Sequence, residues 1–181
     1  MIILVGASAS GKTEAAKELG RLYGIQKAIT TTTRPKRVNE VDGVDYFFVS
    51  QAEFARRLLD NHFVEHASYA NHYYGTGRDQ IDPKKVLIVE PNGLHAFKAL
   101  RDPSIVTFFL DVDEKTRGER MRMRGDKEED IALRLVRDHT DFSKEKVGQT
   151  DFVLSSKDKN IREVAEEIYS LYQKTLKERG L

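Results

Sequence analysis

The residues best equipped for chemistry come first in the chain. Gly6-Ala7-Ser8-Ala9-Ser10-Gly11-Lys12-Thr13 has the spacing G-x-x-x-x-G-K-[ST] and directly follows the apolar run Met1-Ile2-Ile3-Leu4-Val5. Glycines at that spacing let the backbone turn tightly, so that consecutive N–H groups point into one concavity. A helix starting there adds its dipole and its unpaired N–H groups, and both favour an anion. Lys12 brings a full positive charge for the β- and γ-phosphates of a nucleotide, and Thr13 brings a hydroxyl suited to Mg²⁺. The strand pattern before the loop and the helical pattern from Glu14 to Tyr23, closed by Gly24, supply the context such a motif requires. The whole stretch Gly6, Ala7, Ser8, Ala9, Ser10, Gly11, Lys12 and Thr13 is therefore expected to hold nucleotide phosphates.

A second set of polar residues lies between Thr30 and Thr76. Arg34 and Arg37 are separated by three positions in a segment that Pro35 keeps out of regular helix. Two guanidiniums converging on one phosphate make a bidentate, charge-assisted clamp, to which Tyr46 and Tyr74 could add hydroxyl donors. The same residues also fit a solvated basic turn. Glu65 sits in the strand-like run Phe63-Val64-Glu65-His66-Ala67. A carboxylate accepts two hydrogen bonds side by side, which suits the N1–H and N2–H₂ of guanine, whereas adenine offers an acceptor at N1. Thr30 and Thr76 could bond the guanine carbonyl. On spacing alone, a solvent-facing glutamate on an edge strand accounts for Glu65 equally well.

The elements that must position these groups alternate in type. Ile25 to Ile29, Phe47-Phe48-Val49 and His62 to Ser68 read as strands, and Tyr69-Ala70-Asn71-His72 as a turn. Ser50 and Glu53 have the spacing of a capping box, opening a helix through about Asn61 with Phe54, Leu58 and Leu59 on one face. Val86 to Glu90 and Ile105 to Leu110 are the β-branched apolar runs of buried parallel strands. Helices are expected over Gly93 to Leu100, Asp113 to Arg124, Lys127 to about Phe142 and Asn160 to Lys177, with a last strand at Phe152-Val153-Leu154. Strands alternating with helices predict an α/β domain around a parallel sheet. The turn-rich segment from about 31 to 82 interrupts that alternation as an inserted lobe.

Composition narrows the class. The 181 residues suffice for one domain with a substantial core; 33% are charged and 39% hydrophobic, and the formal net charge is +1. That balance predicts neither a nucleic-acid nor a membrane partner, and no pattern specifies an oligomeric state. The absence of cysteine excludes disulfides, thiolate metal sites and cysteine nucleophiles. Met1 leads into the first strand without a basic segment, and no apolar run approaches membrane-spanning length, so a cytoplasmic enzyme is expected.

A resemblance adds what spacing leaves open. The phosphate loop, the run Thr31-Thr32-Thr33-Arg34-Pro35-Lys36-Arg37, then Glu40 through Ser50, Glu53-Phe54, Phe63-Val64-Glu65, Asn71 and Tyr73-Tyr74-Gly75-Thr76 together resemble guanylate kinases over most of the chain. The resemblance implies ATP-dependent phosphorylation of GMP and dGMP with Mg²⁺, on a P-loop kinase core with a GMP-binding lobe and a helical lid. The core would be about residues 1–30, 83–118 and 143–181, the lobe about 31–82 and the lid about 119–142. Carried over by position, Arg34, Arg37, Tyr46 and Tyr74 would hold the GMP phosphate, Thr30, Glu65 and Thr76 would read the guanine, and Glu40 would support the arginines. Arg120, Arg122, Arg124 and Arg134 fall in the lid region. Lys12, Arg124 and Arg134 would then be the catalytic cations, and Thr13 the metal ligand.

The chain departs from that pattern at three places. Where the family's central strand usually ends in two acidic residues, this chain has Ile88 and Glu90, so Glu90 alone remains on the acceptor side. Only Gly77 to Asp82 separate the Tyr-Tyr-Gly-Thr segment from Pro83, too few for the usual helix. Ser156 stands where an asparagine is usual near the adenine. The loss at Ile88 leaves open a related P-loop kinase for another nucleoside monophosphate or a sugar phosphate. A non-catalytic protein-binding module is disfavoured by the intact phosphate loop.

Overall fold

Alternation along one short strand organises the core. Strand β1 (Ile2–Val5) lies at the centre of a parallel sheet in the order β2 (Gln26–Lys27), β7 (Lys85–Ile88), β1, β8 (Val106–Leu110), β9 (Phe152–Leu154). Ile2 lies beside Val86 and Val106, and Leu4 beside Ile88 and Phe108. Successive side chains of a strand point to opposite faces. Ile2 and Leu4 accordingly enter one apolar cluster, with helices α1 (Lys12–Tyr23) and α7 (Ile161–Glu178), through Leu19, Ile168 and Tyr172. Ile3 and Val5 enter another, with Leu94 and Phe97 of α3 (Pro91–Ala99). Every residue of β1 is buried on both sides, as a central parallel strand requires.

The computed structural model describes residues 1–181. The segment read as an insertion forms its own sheet, ordered β4 (Phe47–Phe48), β3 (Thr31–Thr32), β6 (His72–Gly77), β5 (Phe63–Tyr69). Strands β5 and β6 form an antiparallel hairpin whose turn residues Ala70 and Asn71 have φ of 48° and 62°. Left-handed geometry at both central positions matches the twist of the flanking strands. Helix α2 (Gln51–Leu59) packs by Phe54, which stacks on Phe63 at 4.4 Å and Tyr73 at 5.6 Å.

Several local expectations change. Leu58 and Leu59 are exposed, so Phe54 alone anchors α2. Ser50 caps the Glu53 N–H, but the Glu53 carboxylate bonds Arg56 and Arg57 instead of returning to Ser50, leaving half a capping box. Strand β7 stops at Ile88 because Pro91 opens α3 with Glu90 as its N-cap residue. A single 3₁₀ turn, Arg78–Gln80, occupies the shortened segment, and a short helix, α6 (Lys144–Val147), follows the lid region unforeseen. Helices α4 (Glu114–Met123) and α5 (Glu128–Asp141) form that region. No helix is long and apolar enough to cross a membrane.

Candidate active site

The phosphate loop leaves β1 at its C-terminal end and enters α1. A Cβ on Gly6 would lie 2.7 Å from the Leu110 carbonyl oxygen, so no other residue fits against β8 there. Gly11, at φ 96°, starts α1 without a side-chain cap, leaving the first-turn N–H groups directed into the loop. Ala9 is also left-handed, at φ 59°, a position the motif does not mark. The Lys12 ammonium donates to the carbonyls of Gly6 at 2.5 Å and Ala7 at 2.8 Å. Burial pushes its pKa down to about 8, opposed by the charges of Glu90 and Asp138 and assisted by Arg117.

Two clefts meet at Lys12, and a third adjoins the second of them at Glu90, Arg137 and Asp141. The first, about 420 Å³, is lined by Gly11, Lys12, Thr13, Arg120, Arg124 and Ser156. Arg120 donates to the Ala9 carbonyl at 3.2 Å and to Ser156 Oγ at 3.0 Å, while Ser156 Oγ donates to the Ser10 carbonyl at 2.9 Å. Ser156 is thus a brace between loop and lid. The second cleft, about 290 Å³, brings Lys12 together with Glu90, Arg134, Arg137, Asp138 and Asp141. Desolvation holds the Glu90 carboxyl above its ordinary pKa, against the pull of Lys12.

The third cleft, about 1100 Å³, runs from Glu90 into the lobe and is lined there by Thr30, Tyr46, Glu65, Tyr74, Thr76 and Ile88. Pairing of β5 with β6 sets Glu65 opposite Thr76, whose hydroxyl donates to the carboxylate at 2.6 Å. Gly93 of α3 packs closely on Val89, where a Cβ would lie 3.1 Å from the Val89 Cβ, and faces the Glu65 side chain at ordinary contact distance. Glu40 receives the Arg34 guanidinium at 2.6 Å and the Arg37 backbone N–H at 2.8 Å. The Arg34 guanidinium lies 5.5 Å from the Tyr46 ring centre, but Arg37 extends into solvent. Thr30, Tyr46, Glu65, Tyr74, Thr76 and Glu90 thus line one cleft, Arg34 and Glu40 pair beside Tyr46 without lining it, and the Arg37 side chain stands apart.

The lid arginines have partners that spacing did not indicate. Arg124 and Arg134 both bond Asp126, Arg134 at 3.4 Å, and Arg122 takes Glu128 at 2.6 Å. A buried ion pair, Arg117 with Asp138 at 2.8 Å, joins α4 to α5. Asp138 also accepts from the Ser8 N–H at 2.9 Å and the Ser8 hydroxyl at 3.2 Å, tying the lid to the phosphate loop. Asp138 and Arg117 were not singled out from the sequence. No linear signal marked them, because α4 is almost wholly polar and Asp138 stands among other charged residues of α5.

A glycine-rich loop from β1 to α1 that carries Lys12, joined through the cleft at Glu90 to a larger one lined by Glu65 and Thr76, has the arrangement of a P-loop phosphotransferase of the nucleoside monophosphate kinase class. The guanylate kinase family profile matches residues 1–174. A guanylate kinase of Prochlorococcus marinus (strain MIT 9312) is 35% identical over 181 residues, covering 96% of each chain. The chain belongs to the guanylate kinase family. A guanylate kinase of Rickettsia prowazekii is 31% identical over 169 residues, covering 87% of this chain and 83% of its own. The crystal structure of a guanylate kinase from Anaplasma phagocytophilum shares the fold, with a TM-score of 0.66 at 24% identity over 96% of this chain and 84% of that one.

In the unliganded fold Lys12 loses its proton near pH 8, below the 10.5 of an ordinary lysine. Between those values the unfolded chain holds the extra proton, so stability without ligand rises with pH across the interval. A bound triphosphate needs the ammonium, so its affinity should fall over the same interval. Calorimetric titration with ATP from about pH 7 to about pH 9.5 tests this, and a flat dissociation constant would refute it. Asp138→Ala strands the Arg117 charge and should cost about 3–5 kcal/mol in urea denaturation. The double substitution Arg117→Leu with Asp138→Ala should recover most of that loss.

Proposed function

We propose that the protein transfers the γ-phosphoryl group of ATP to GMP and dGMP, with Mg²⁺, in the cytoplasm. The observation that carries the guanine reading is the Glu65–Thr76 pair at 2.6 Å inside the lobe cleft. Its carboxylate accepts the Thr76 hydroxyl on one oxygen and retains acceptor capacity for the paired N1–H and N2–H₂ donors of guanine. Family membership supports the same acceptor.

In this reading Gly6 to Thr13 hold the donor phosphates, and Arg34, Arg37, Tyr46 and Tyr74 hold the acceptor phosphate. Glu40 keeps Arg34 extended toward the cleft, while Thr30 and Thr76 frame the base and Glu90 orients the acceptor from the floor. Lys12, Arg124 and Arg134 neutralise the charge on the transferred group. The core of about 1–30, 83–118 and 143–181, the lobe of about 31–82 and the lid of about 119–142 act as three parts. Arg124 and Arg134 leave Asp126 when the lid closes, and closure keeps water from intercepting the phosphoryl group.

No cluster of three or more His, Asp or Glu side chains could enclose a cation unaided. A hard cation is commonly bound through nucleotide phosphates with few protein ligands, and an exposed Thr13 hydroxyl at the loop suits that donor set. Bound Mg²⁺ would supply charge neutralisation between the phosphates. The protein's own work is positioning and electrostatics, which this reaction chiefly requires.

Ile88 favours one alternative, because it gives the cleft floor an apolar group where a carboxylate is expected. A coupled ADP-release assay against GMP, dGMP, AMP, CMP, UMP and ribose phosphates decides between acceptors. GMP and dGMP should turn over fastest, and preference for any other acceptor would overturn the guanine reading. Glu65→Gln presents an amide N–H₂ to one guanine donor, so KM for GMP should rise by about tenfold or more, with KM for ATP unchanged. Unchanged GMP affinity would remove Glu65 from the base site.

A further inference from the structure

We propose that Arg137 is a further catalytic residue, contacting the phosphoryl group as it crosses between the two nucleotides. This rests on the phosphotransfer reading above. Arg137 lies one turn beyond Arg134 on α5, on the same helix face. It lines both the cleft at Lys12 and the cleft that holds Glu65 and Tyr74. Arg120 and Arg124 line the donor cleft, and Arg134 lines the cleft at Lys12 and Glu90, so none of these lines the cleft that holds Glu65 and Tyr74. Arg137 is the lid arginine standing at the crossing itself.

Its bonding leaves it ready for use. Arg120 is committed to the Ala9 and Ser156 carbonyls and the Ser156 hydroxyl, Arg117 to Asp138, and Arg124 and Arg134 to Asp126. Arg137 makes one bond, from Nε to Asp141 at 3.2 Å, and its terminal nitrogens have no protein partner. Asp141 also holds Lys146 at 2.9 Å, so it remains paired if Arg137 swings away. An exposed pair of this kind is weak, whereas a guanidinium on phosphate oxygens gains bidentate, charge-assisted bonds.

The chemistry at the crossing calls for such a group. An acceptor phosphate oxygen forms a bond to the γ-phosphorus while the bond to the β–γ bridging oxygen breaks, and that electron pair leaves with ADP. Negative charge spreads over the equatorial oxygens in transit. Lys12 meets that charge from the donor side, and the acidic floor of Glu90 and Asp141 needs a cation between it and the incoming anion. Arg137 supplies one without displacing any buried contact.

The test compares Arg137→Ala and Arg137→Lys with the wild type, on whichever acceptor the wild type phosphorylates fastest. Preference for a non-guanine acceptor would thus count against the base reading while leaving the test of Arg137 intact. Arg137→Ala should lower kcat by about 10²-fold with both KM values within about threefold of wild type, and Arg137→Lys should restore part of the loss. The affinity of the ADP–aluminium fluoride–acceptor complex should fall by the same factor as kcat, with thermal unfolding unchanged. A kcat within about threefold of wild type, or a loss confined to KM, would overturn the proposal.

Discussion

An ammonium group in a poorly hydrated loop must be surrounded by oxygen atoms, and most of the site follows from that demand. Lys12 meets it with the carbonyls of Gly6 and Ala7. The loop can offer those carbonyls only because Gly6 packs without a side chain against β8. The low pKa of Lys12 measures how incompletely this arrangement replaces water. A phosphate chain offers better acceptors, so the loop is built to prefer a ligand over its own backbone. The positive ends of the backbone N–H groups reinforce the preference.

The lid is held by charges of two kinds. Buried Arg117 and Asp138 join α4, α5 and Ser8 by a pair that would be costly to break on one side. At the outer end, Arg124 at the end of α4 and Arg134 within α5 share the carboxylate of Asp126, all near solvent. Exposed pairs contribute little, so they restrain the arginines without committing them. The inner end is therefore a fixed joint, and the outer end carries cations that can be redeployed.

Local pattern made the core legible. The apolar runs at Ile2–Val5 and Val106–Leu110 and the phosphate loop follow from short-range rules, and all became the expected elements. The Glu65–Thr76 pairing was within reach because a hairpin sets residues opposite one another. Relations between distant elements were not legible. Leu58 and Leu59 were expected on the face of Phe54, yet both stay exposed while Phe54 alone is buried. Glu53 had the capping spacing, but the two arginines on the next turn competed for its carboxylate. Asp138 and Arg137 sit side by side in sequence with opposite fates, one buried against Ser8 and one exposed at the crossing, and no linear signal separates them.

The double face of β1 has a consequence for how the molecule comes apart. Ile2 and Leu4 belong to one apolar cluster and Ile3 and Val5 to the other. Neither layer can loosen without withdrawing side chains from the same strand, so the core melts as one cooperative unit. The lobe sheet has a separate small stack of Phe54, Phe63 and Tyr73 and no share in β1. Its opening is a sub-global event with a free energy of its own, below that of the whole. Val64 of β5 nevertheless packs against the cluster of Ile3, Val5 and α3, so opening of the lobe is felt by the strand that carries the phosphate loop.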